Sequence, residues 1–545
     1  MKKRMHINLI FSFILIGFTG LSQSNGFEVV RSMELMDQIY EHLDKYYVDD
    51  IKTGNLSKTA IDAMLKKLDP YTVYYHESNI EDYQMMTTGQ YGGIGALIRK
   101  KGDFVYVAEP YEGKPADKSG LKAGDKILSI DGKEMKNKNS SEVSSVLKGP
   151  KGTNLEIEVE RNSVEKITIT VTRDEIKLAD VPYSGMLKNK IGYIKLNSFT
   201  RTASAEVKKA FLQLKEQGME ELVLDLRGNG GGLLIEAVNI VNLFVPKNQI
   251  VVTTRGRVLE ENREYKTRYA PVDLDIPIVV LVNGGSASAS EIVSGSLQDL
   301  DRAVIVGTQS YGKGLVQRTY DLDYGSKMKL TIAKYYTPSG RCVQRLEYYD
   351  KMDEEDVKEV PDSLITIFKT KNGRDVIDGR GVEPDRLVKQ RKLSRLTATI
   401  LQNNLIFDYA TQYYYSHSTL ASANEFNLSE SEYSDFKKYV LEQEFTYSTA
   451  SEEKLKNMKK TAEKEEFYDD IKDEYEALMA KVIPSKERDL EKFETQLKSI
   501  LSNEIVSRYY YQDGRAIQSF KNDLYIKESL EILKNKSTYN TILGK

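Results

Sequence analysis

The sequence predicts a multidomain α/β protein with helical regions at both ends of the chain. Its 545 residues suffice for three or four domains. Strand-like and helix-like segments alternate through residues 176–390, which indicates an α/β core. Residues 90–175 contain short strands and glycine turns, which indicate a small β domain. Residues 27–89 and 391–545 have the spacing of helices, and the second of these regions is charged, tyrosine-rich and poor in glycine.

Residues 1–24 have the pattern of an export signal. The basic segment Lys2-Lys-Arg4 precedes an almost wholly apolar run at residues 7–21, and small residues follow that run. About 15 apolar residues are short for a membrane-spanning helix, but they match the apolar part of a signal peptide. We expect cleavage after Ser22 or Ser24 and a periplasmic location. The single cysteine, Cys342, excludes an intrachain disulfide, so the core alone must stabilise the exported protein.

Between this signal and the small β domain, two segments have helical spacing. They are Met33–Tyr47 and Leu56–Leu68, and the second closes at Leu68-Asp-Pro-Tyr71. The net charge of −3 and the absence of an aromatic–basic stripe argue against a nucleic-acid-binding protein.

A serine-rich turn in the α/β region is a candidate nucleophile site. The apolar run Pro277–Val282 predicts a buried strand, Asn283-Gly-Gly285 a turn, and Glu291–Leu300 a helix. Ser288 and Glu291 then have the spacing of a capping box. Amides at a helix N-terminus point at anions, so the N–H of Ala289 is placed to bind a developing oxyanion. The alternative interpretation is that Ser288 is only an N-cap.

A lysine flanked by glycines follows this turn, in Gly307-Thr-Gln-Ser-Tyr-Gly-Lys-Gly-Leu-Val-Gln317. A Ser–Lys hydrolase needs a nucleophile such as Ser288 and a base such as Lys313. A lysine base requires a pKa below the usual value near 10.4, and burial lowers it. The neutral amide of Gln317 could hold the amine without adding charge, although a solvated Lys313 is the alternative. Histidines are scarce, and none lies between residues 89 and 385: His6, His42, His76 and His417.

A glycine loop supports the same site. Glu221–Leu226 predicts a strand, Arg227-Gly-Asn-Gly-Gly-Gly232 a tight loop, and Leu233–Phe244 an amphipathic helix. The loop lacks the Gly-Lys-Ser/Thr ending of a P-loop and the third glycine of a dinucleotide fingerprint. Asp225 and Arg227 are expected to be structural.

These blocks resemble the carboxyl-terminal processing, or tail-specific, proteases of the S41 serine peptidase family. The family motifs are close to S-A-S-A-S-E, T-F-G-K-G-x-x-Q, D-L-R-x-N-x-G-G and G-x-x-P-D. The resemblance covers about residues 30–390 and departs from the family at Thr308–Tyr311, where E-x-T-F is more frequent. It implies the following roles: Ser288 as nucleophile, Lys313 as base 25 residues later, Gln317 orienting the lysine, and Gly232, rather than Gly231, as the second oxyanion donor beside Ala289.

Residues 90–175 resemble a PDZ domain of the protease-associated type. The resemblance rests on an ordered set of segments: Tyr91–Ala96, Phe104–Ala108, Lys114–Ala116, Gly120–Gly132 and Val143–Leu147. PDZ domains add a peptide as an extra strand and capture its C-terminal carboxylate with backbone amides. The resemblance places that loop at Gly93-Ile94-Gly95-Ala96. A small β domain without a ligand is the alternative.

The sequence therefore predicts an exported Ser–Lys endopeptidase that cleaves proteins near their C-terminus, with a PDZ-like domain binding the free tail. A helical N-terminal segment, an α/β S41 protease core and a helical C-terminal appendage complete the expected fold. No metal, nucleotide or other cofactor is implied. The appendage is expected to pack on the core, to form a homo-oligomer, or to bind an adaptor. Alternative functions are a non-catalytic PDZ-type envelope scaffold and a Ser–Lys amidase acting on small molecules.

Overall fold

The computed structural model describes residues 24–348, 357–389 and 392–545. The predicted signal peptide, except for Ser24, lies outside the described residues. Within the described ranges, no helix has the length and apolarity needed to cross a membrane. The chain divides into two compact units. The first contains residues 24–77, 318–331 and 348, and the second contains the remaining described residues.

The first unit contains most of the predicted helical N-terminal segment, whose helical character is confirmed; residues 78–89 of that segment lie in the second unit. Asp69, in the Leu-Asp-Pro-Tyr sequence, accepts hydrogen bonds from the backbone N–H groups of Tyr71 and Thr72 and from the Thr72 hydroxyl. These bonds close the turn that follows the second helix. A short strand then pairs antiparallel with residues Lys327–Lys329. The elements are α1 (Ser24–Tyr46), α2 (Thr53–Lys66) and β1 (Val73–Tyr75).

The small β domain lies in the second unit and has a separate core of apolar residues. Its main sheet is antiparallel with strand order β3-β4-β5-β7-β8, so β3 is an edge strand. Helix α5, which begins with a capping box between Asn139 and Glu142, packs beside β3. The elements are α3 (Ile80–Thr88), β2 (Gln90–Gly93), β3 (Ala96–Lys101), β4 (Phe104–Pro110), α4 (Pro115–Lys118), β5 (Lys126–Ile130), β6 (Lys133–Glu134), α5 (Ser140–Leu147), β7 (Asn154–Arg161), β8 (Glu165–Thr172) and β9 (Asp174–Lys177).

The α/β core is built on a six-stranded sheet of order β10-β11-β12-β15-β16-β23. In this sheet, neighbouring strands are parallel from β11 through β12, β15 and β16 to β23, and β10 is antiparallel to β11. The elements of this region are β10 (Tyr183–Met186), β11 (Ile191–Lys195), α6 (Ala203–Glu216), β12 (Glu221–Asp225), α7 (Leu234–Asn242), β13 (Ile250–Gly256), β14 (Arg263–Lys266), β15 (Ile278–Val282), α8 (Ala289–Asp299), β16 (Val304–Gly307), β17 (Leu315–Asp321), β18 (Lys327–Tyr336), β19 (Leu346–Glu347), β20 (Lys358–Glu359), β21 (Ile367–Lys369), β22 (Asp375–Ile377) and β23 (Arg386–Leu387).

This parallel pairing explains why the glycine loop and the serine turn meet. Strands β12 and β15 are neighbours in register, with Asp225 beside Leu281. Each strand ends where one of the two motifs begins, so both motifs leave the same edge of the sheet. In open α/β sheets, binding and catalysis occur at the carboxyl ends of the strands. All five residues of β15 are buried, as its apolar, β-branched sequence predicts.

The C-terminal region is helical, as expected, and it packs on the core. One group of its apolar residues forms a separate helical core. Another group, from its last two helices, covers residues of the core sheet that include Val223, Val279 and Val306. The Tyr539 hydroxyl accepts a hydrogen bond from the backbone N–H of Ile278. The helices are α9 (Arg395–Gln402), α10 (Leu405–Ser416), α11 (Glu430–Leu441), α12 (Ala450–Lys464), α13 (Lys472–Val482), α14 (Lys486–Lys492), α15 (Glu494–Ser519), α16 (Leu524–Lys534) and α17 (Lys536–Ile542).

The C-terminal helices also contact the small β domain. Lys101 on β3 forms an ion pair with Asp408 on α10 at 2.6 Å. The Tyr511 hydroxyl on α15 donates to Asp117 on α4 at 2.7 Å. Arg99, on the same face of β3 as Lys101, lies 4.7 Å from the centre of the Phe407 ring. The helical region therefore holds the small β domain through charged side chains on one face of its edge strand.

Candidate active site

Ser288 occupies a strained turn between strand β15 and helix α8. It is the N-cap of α8, with φ of 57° and ψ of −112°. A non-glycine residue rarely adopts this backbone conformation, which costs of order 1–3 kcal/mol and is typical of functional sites. The buried Tyr335 hydroxyl donates to the Ser288 carbonyl oxygen at 3.2 Å, and the Ser288 side chain is half-buried. The turn is thus held by neighbouring residues in a conformation that presents the serine at a helix N-terminus.

Glu291 joins this turn to the lysine segment. Its fully buried carboxylate accepts four hydrogen bonds. One oxygen accepts from the N–H groups of Ser288 and Lys313, both at 2.8 Å. The other accepts from the Gly312 N–H at 2.7 Å and the Ser310 hydroxyl at 2.5 Å. The backbone nitrogens of Ser288 and Lys313 are therefore close neighbours, because each lies 2.8 Å from the same Glu291 oxygen.

The carboxylate of Glu291 has competing influences on its pKa. Burial raises the pKa above 4.5, and the hydrogen bonds from Ser310, Lys313, Ser288 and Gly312 lower it. The net shift is upward, because desolvation outweighs the donors. The sequence predicted a capping box at Ser288 and Glu291, and the carboxylate part of it is present. It did not predict that the same carboxylate would hold the lysine segment.

The glycines on both sides of Lys313 bring its backbone close to residues 343–345. Gly312 has φ of 87°, and a Cβ on it would lie 2.5 Å from the Arg345 Cβ. A Cβ on Gly314 would lie 2.8 Å from the Gln344 N atom. Gly314 also donates to the Gln344 side chain at 2.7 Å. Lys313 is half-buried in this segment, two residues before β17, and Gln317 lies on β17.

The glycine loop packs directly against the serine turn. A Cβ on Gly231, which has φ of 100°, would lie 2.8 Å from the Ser288 Cβ and 2.9 Å from the Ala289 N atom. The Gly231 N–H is already engaged, because it donates to the Asn229 side chain at 2.9 Å. The N–H groups of Gly232 and Ala289, by contrast, donate no hydrogen bond to any described residue. These two amides are therefore available at the same edge of the sheet.

Asn229 is a residue whose role the sequence analysis missed. It is fully buried, and its side chain donates to the Leu196 carbonyl oxygen. Its own carbonyl oxygen accepts from the Ala287 N–H at 3.0 Å and from the Ser290 hydroxyl at 2.9 Å. It therefore connects the glycine loop to the residues that flank Ser288. Its place inside the D-L-R-x-N-x-G-G motif was the only sequence signal for this role.

A buried charge cluster fixes the start of the glycine loop. Asp225 accepts from the Tyr193 hydroxyl at 2.6 Å and from the guanidinium and backbone N–H of Arg227. The Lys195 ammonium lies 3.3 Å from Asp225 and also donates to the Arg227 carbonyl oxygen. Burial opposes ionisation of Asp225, but Arg227 and Lys195 prevail and lower its pKa to about 2. These contacts agree with the expectation that Asp225 and Arg227 are structural.

The loop Gly93-Ile94-Gly95-Ala96 lies in the small β domain. The Ile94 side chain is buried in the core of that domain, and its carbonyl oxygen accepts from the Ala116 N–H. The Gly95 carbonyl oxygen accepts from the Tyr111 N–H. Gly95 has φ of 72°, and a Cβ on it would lie 2.7 Å from the Lys114 Cβ. The loop conformation therefore depends on glycine at position 95.

Comparison with known proteins agrees with this architecture. Residues 190–348 match peptidase family S41, residues 106–161 match the PDZ domain, and residues 396–533 match a domain described as "Probable PDZ-protease, C-terminal helical domain". The carboxy-terminal-processing protease of Bartonella bacilliformis is 35% identical over 336 residues, which are 61% of this chain and 77% of that protein.

Two further comparisons concern a relative from Staphylococcus aureus and a solved structure. A Staphylococcus aureus protein (strain bovine RF122 / ET3-1) described as "Probable CtpA-like serine protease" is 36% identical over 318 residues, 57% of this chain and 62% of that protein. The chain thus spans less than two thirds of that relative. The solved photosystem II D1 C-terminal processing protease is 28% identical, with 65% of this chain and 86% of that chain covered and a TM-score of 0.36.

The α/β core, the PDZ domain and the attached helical domain define a serine-type peptidase. The matches also identify the family to which this peptidase belongs. The chain belongs to peptidase family S41, together with the carboxy-terminal-processing proteases.

Proposed function

We propose that the chain is an exported endopeptidase that cleaves proteins near their C-terminus, with Ser288 as nucleophile and Lys313 as general base. The observation that supports this proposal most strongly is the shared oxygen of Glu291, which accepts from the backbone of both residues. Lys313 is half-buried in the segment whose backbone Glu291 accepts from, and the proposed role requires its neutral amine. The four histidines of the chain include none between residues 89 and 385.

In the acylation step, the Ser288 oxygen attacks the scissile carbonyl carbon while its proton passes to the Lys313 amine. The negative charge develops on the carbonyl oxygen, where the N–H groups of Gly232 and Ala289 stabilise it. Neither N–H donates to any described residue, so both are free for the oxyanion. The positive end of helix α8 adds to this stabilisation because Ala289 is its first residue.

Collapse of the tetrahedral intermediate breaks the carbon–nitrogen bond, and the Lys313 ammonium returns its proton to the leaving amine. A water molecule then attacks the acyl-enzyme, Lys313 accepts its proton, and Ser288 is regenerated when the proton returns to its oxygen. Gln317 orients the lysine through a neutral amide. Both half-reactions use the same residues, so no metal or nucleotide enters the scheme.

The PDZ domain is proposed to bind the substrate tail. Strand β3 is the edge of its sheet, and an edge strand offers unpaired backbone groups to an added peptide strand. Helix α5 packs beside β3. The loop Gly93–Ala96 leads directly into β3, and we propose that its amides receive a terminal carboxylate. A protein tail would be bound by this domain while its upstream segment is cleaved.

Export is proposed from the basic and apolar pattern of residues 1–24. Fractionation of cells that produce the full chain tests this part. The mature protein should appear in the periplasm with an N-terminus at residue 23 or 25, and an uncleaved protein in the cytoplasm would contradict it.

A fluorophosphonate serine probe tests the catalytic part. The probe should add its mass to the peptide that contains Ser288, and Ser288→Ala should abolish the labelling. Lys313→Ala should slow the labelling strongly, because the nucleophile then lacks its base. Labelling of another serine would contradict the assignment of Ser288, and no labelling of the folded wild-type chain would favour the non-catalytic scaffold instead.

A further inference from the structure

The C-terminal helical domain contacts the glycine loop through the Asp523 carboxylate and the Tyr525 ring. Asp523 is the N-cap of α16, and one of its oxygens accepts from the N–H groups of Tyr525 at 2.8 Å and Ile526 at 3.2 Å. The other oxygen lies 2.8 Å from a guanidinium nitrogen of Arg227. The Tyr525 ring lies 4.7 Å from the same guanidinium. One oxygen of Asp523 therefore caps helix α16, and the other pairs with Arg227 of the glycine loop.

The ion pair belongs to the charge cluster at the start of the loop. The side chains of Asp523 and Arg227 are only 14% and 17% exposed, so water screens them weakly. Arg227 and Lys195 provide two positive charges, and Asp225 and Asp523 provide two negative charges. Removing the charge of Asp523 would leave two cations against one anion. Because Lys195 also donates to the Arg227 carbonyl oxygen, the imbalance acts on the loop backbone.

A short series of contacts leads from Arg227 to the serine turn. The next residue, Gly228, donates its N–H to the Asn283 side chain at 2.9 Å. Asn229 follows, and its carbonyl oxygen accepts from the Ala287 N–H. Gly231 then lies against Ser288. Arg227 therefore lies two residues before Asn229, where the contacts that fix the position of Ser288 begin. A displacement of Arg227 would act on those contacts.

We propose that Asp523 is a positioning residue for the glycine loop, so that the C-terminal helical domain completes the catalytic core. This role rests on the proposed function, in which the Gly232 and Ala289 amides stabilise the oxyanion. Asp523 touches neither substrate nor Ser288 and acts through Arg227. The sequence of the C-terminal helical domain was compatible with an appendage or an adaptor site. In this proposal the domain is instead part of the peptidase itself.

Hydrogen–deuterium exchange tests the positioning without relying on proteolysis. Asp523→Asn keeps a good helix N-cap but removes the charge that faces Arg227. In a Ser288→Ala background, it should accelerate exchange in residues 228–232. Glu528→Gln is the matched control, because Glu528 also lies on α16 and pairs with the core through Arg386, at 3.1 Å and more exposed. The proposal is overturned if Asp523→Asn leaves the loop unchanged, or if Glu528→Gln loosens it equally.

Steady-state kinetics on the otherwise wild-type chain provide the second readout. Asp523→Asn should lower kcat by about tenfold, the scale of a charge-assisted hydrogen bond, while KM for a tailed peptide stays unchanged because the PDZ domain is intact. Glu528→Gln should match the wild type. A kcat for Asp523→Asn equal to that of the wild type would overturn the proposal. Failure of the wild-type chain itself to cleave would count against the proposed function, and exchange would still decide the role of Asp523.

Discussion

Gly231 lies so close to Ser288 that a Cβ added to it would come within 2.8 Å of the Ser288 Cβ. The glycine loop and the serine turn are thus packed backbone against backbone. This contact requires a residue without a side chain, and the φ of 100° at Gly231 disfavours any other residue as well.

Gly231→Ala should therefore move the serine turn and reduce kcat by about a hundredfold, the cost of misplacing reacting groups by an ångström. The loop provides a matched control. A Cβ on Gly230 would meet nothing within 4 Å, so Gly230→Ala should keep most of the activity. Peptide cleavage assays on both variants, with melting temperatures to check folding, make the comparison. Equal activity in the two variants would contradict the packing argument.

Glu291→Gln should inactivate the peptidase. The amide replaces one acceptor oxygen by a donor, although four donors converge on the carboxylate. At least one buried donor then lacks an acceptor, which costs about 1–3 kcal/mol and releases the Lys313 segment or the Ser288 turn. Glu236→Gln is the control, since Glu236 is also buried in the core and accepts from the Ser204 N–H. The control should lose stability but not kcat; a comparable loss of kcat in both variants would refute the specific role of Glu291.

Activity should fall at acid pH before the fold is lost. Burial raises the pKa of Glu291 above 4.5, so protonation of this residue begins above the ordinary glutamate range. The protonated oxygen then becomes a donor, and the groups that donate to it lose their acceptor. A raised carboxyl pKa means that the folded state binds the proton more tightly, so this protonation adds to the unfolding free energy.

Asp225 behaves in the opposite way. Its pKa is lowered to about 2, so its contribution to stability is present above its unfolded pKa of 3.8 and is lost only as pH approaches 2. Peptidase rates and circular dichroism, measured together from neutral pH down to 4.5, should show falling activity with an intact fold. Coincident loss of both signals would mean that unfolding, not Glu291, causes the acid limb.

Much of this arrangement follows from the sequence, because it depends on local patterns. The apolar run before Asn283 predicted strand β15, and the Ser288–Glu291 spacing predicted the start of helix α8. The helices of residues 391–545 followed from their spacing and lack of glycine. The proposed pairing of Ser288 with Lys313 rests on family motifs, because local patterns do not indicate which serine and which lysine act together.

The remaining features depend on contacts between distant segments. Nothing in the local sequence shows that Glu291 accepts from Lys313, 22 residues later, or that Asn229 reaches Ala287. The pairing of Asp523 with Arg227 joins residues almost 300 positions apart. Such contacts follow from the parallel register of β12 and β15 and from the packing of α16, which a single sequence does not reveal.

Amidation of the substrate C-terminus should weaken binding to the PDZ domain. The loop Gly93–Ala96 is proposed to receive a carboxylate, and each charge-assisted hydrogen bond contributes about 1.5–3 kcal/mol. KM for an amidated peptide should therefore rise by about tenfold or more, with kcat unchanged. Substrate chemistry is a cleaner test than mutation of Gly95, because a Cβ there would strike Lys114. Equal KM values for acid and amide would remove carboxylate capture and leave the Ser–Lys proposal intact.

The central claim, that Ser288 and Lys313 act together as nucleophile and base, is tested most directly by mass spectrometry of products from a tailed protein substrate. The wild-type chain should release fragments cut near the C-terminus. Ser288→Ala, Lys313→Ala and Lys313→Arg should each fold normally and lose activity by several orders of magnitude, because arginine stays protonated and the two groups act as a unit. Full cleavage by folded Ser288→Ala, or by Lys313→Arg, would contradict the account.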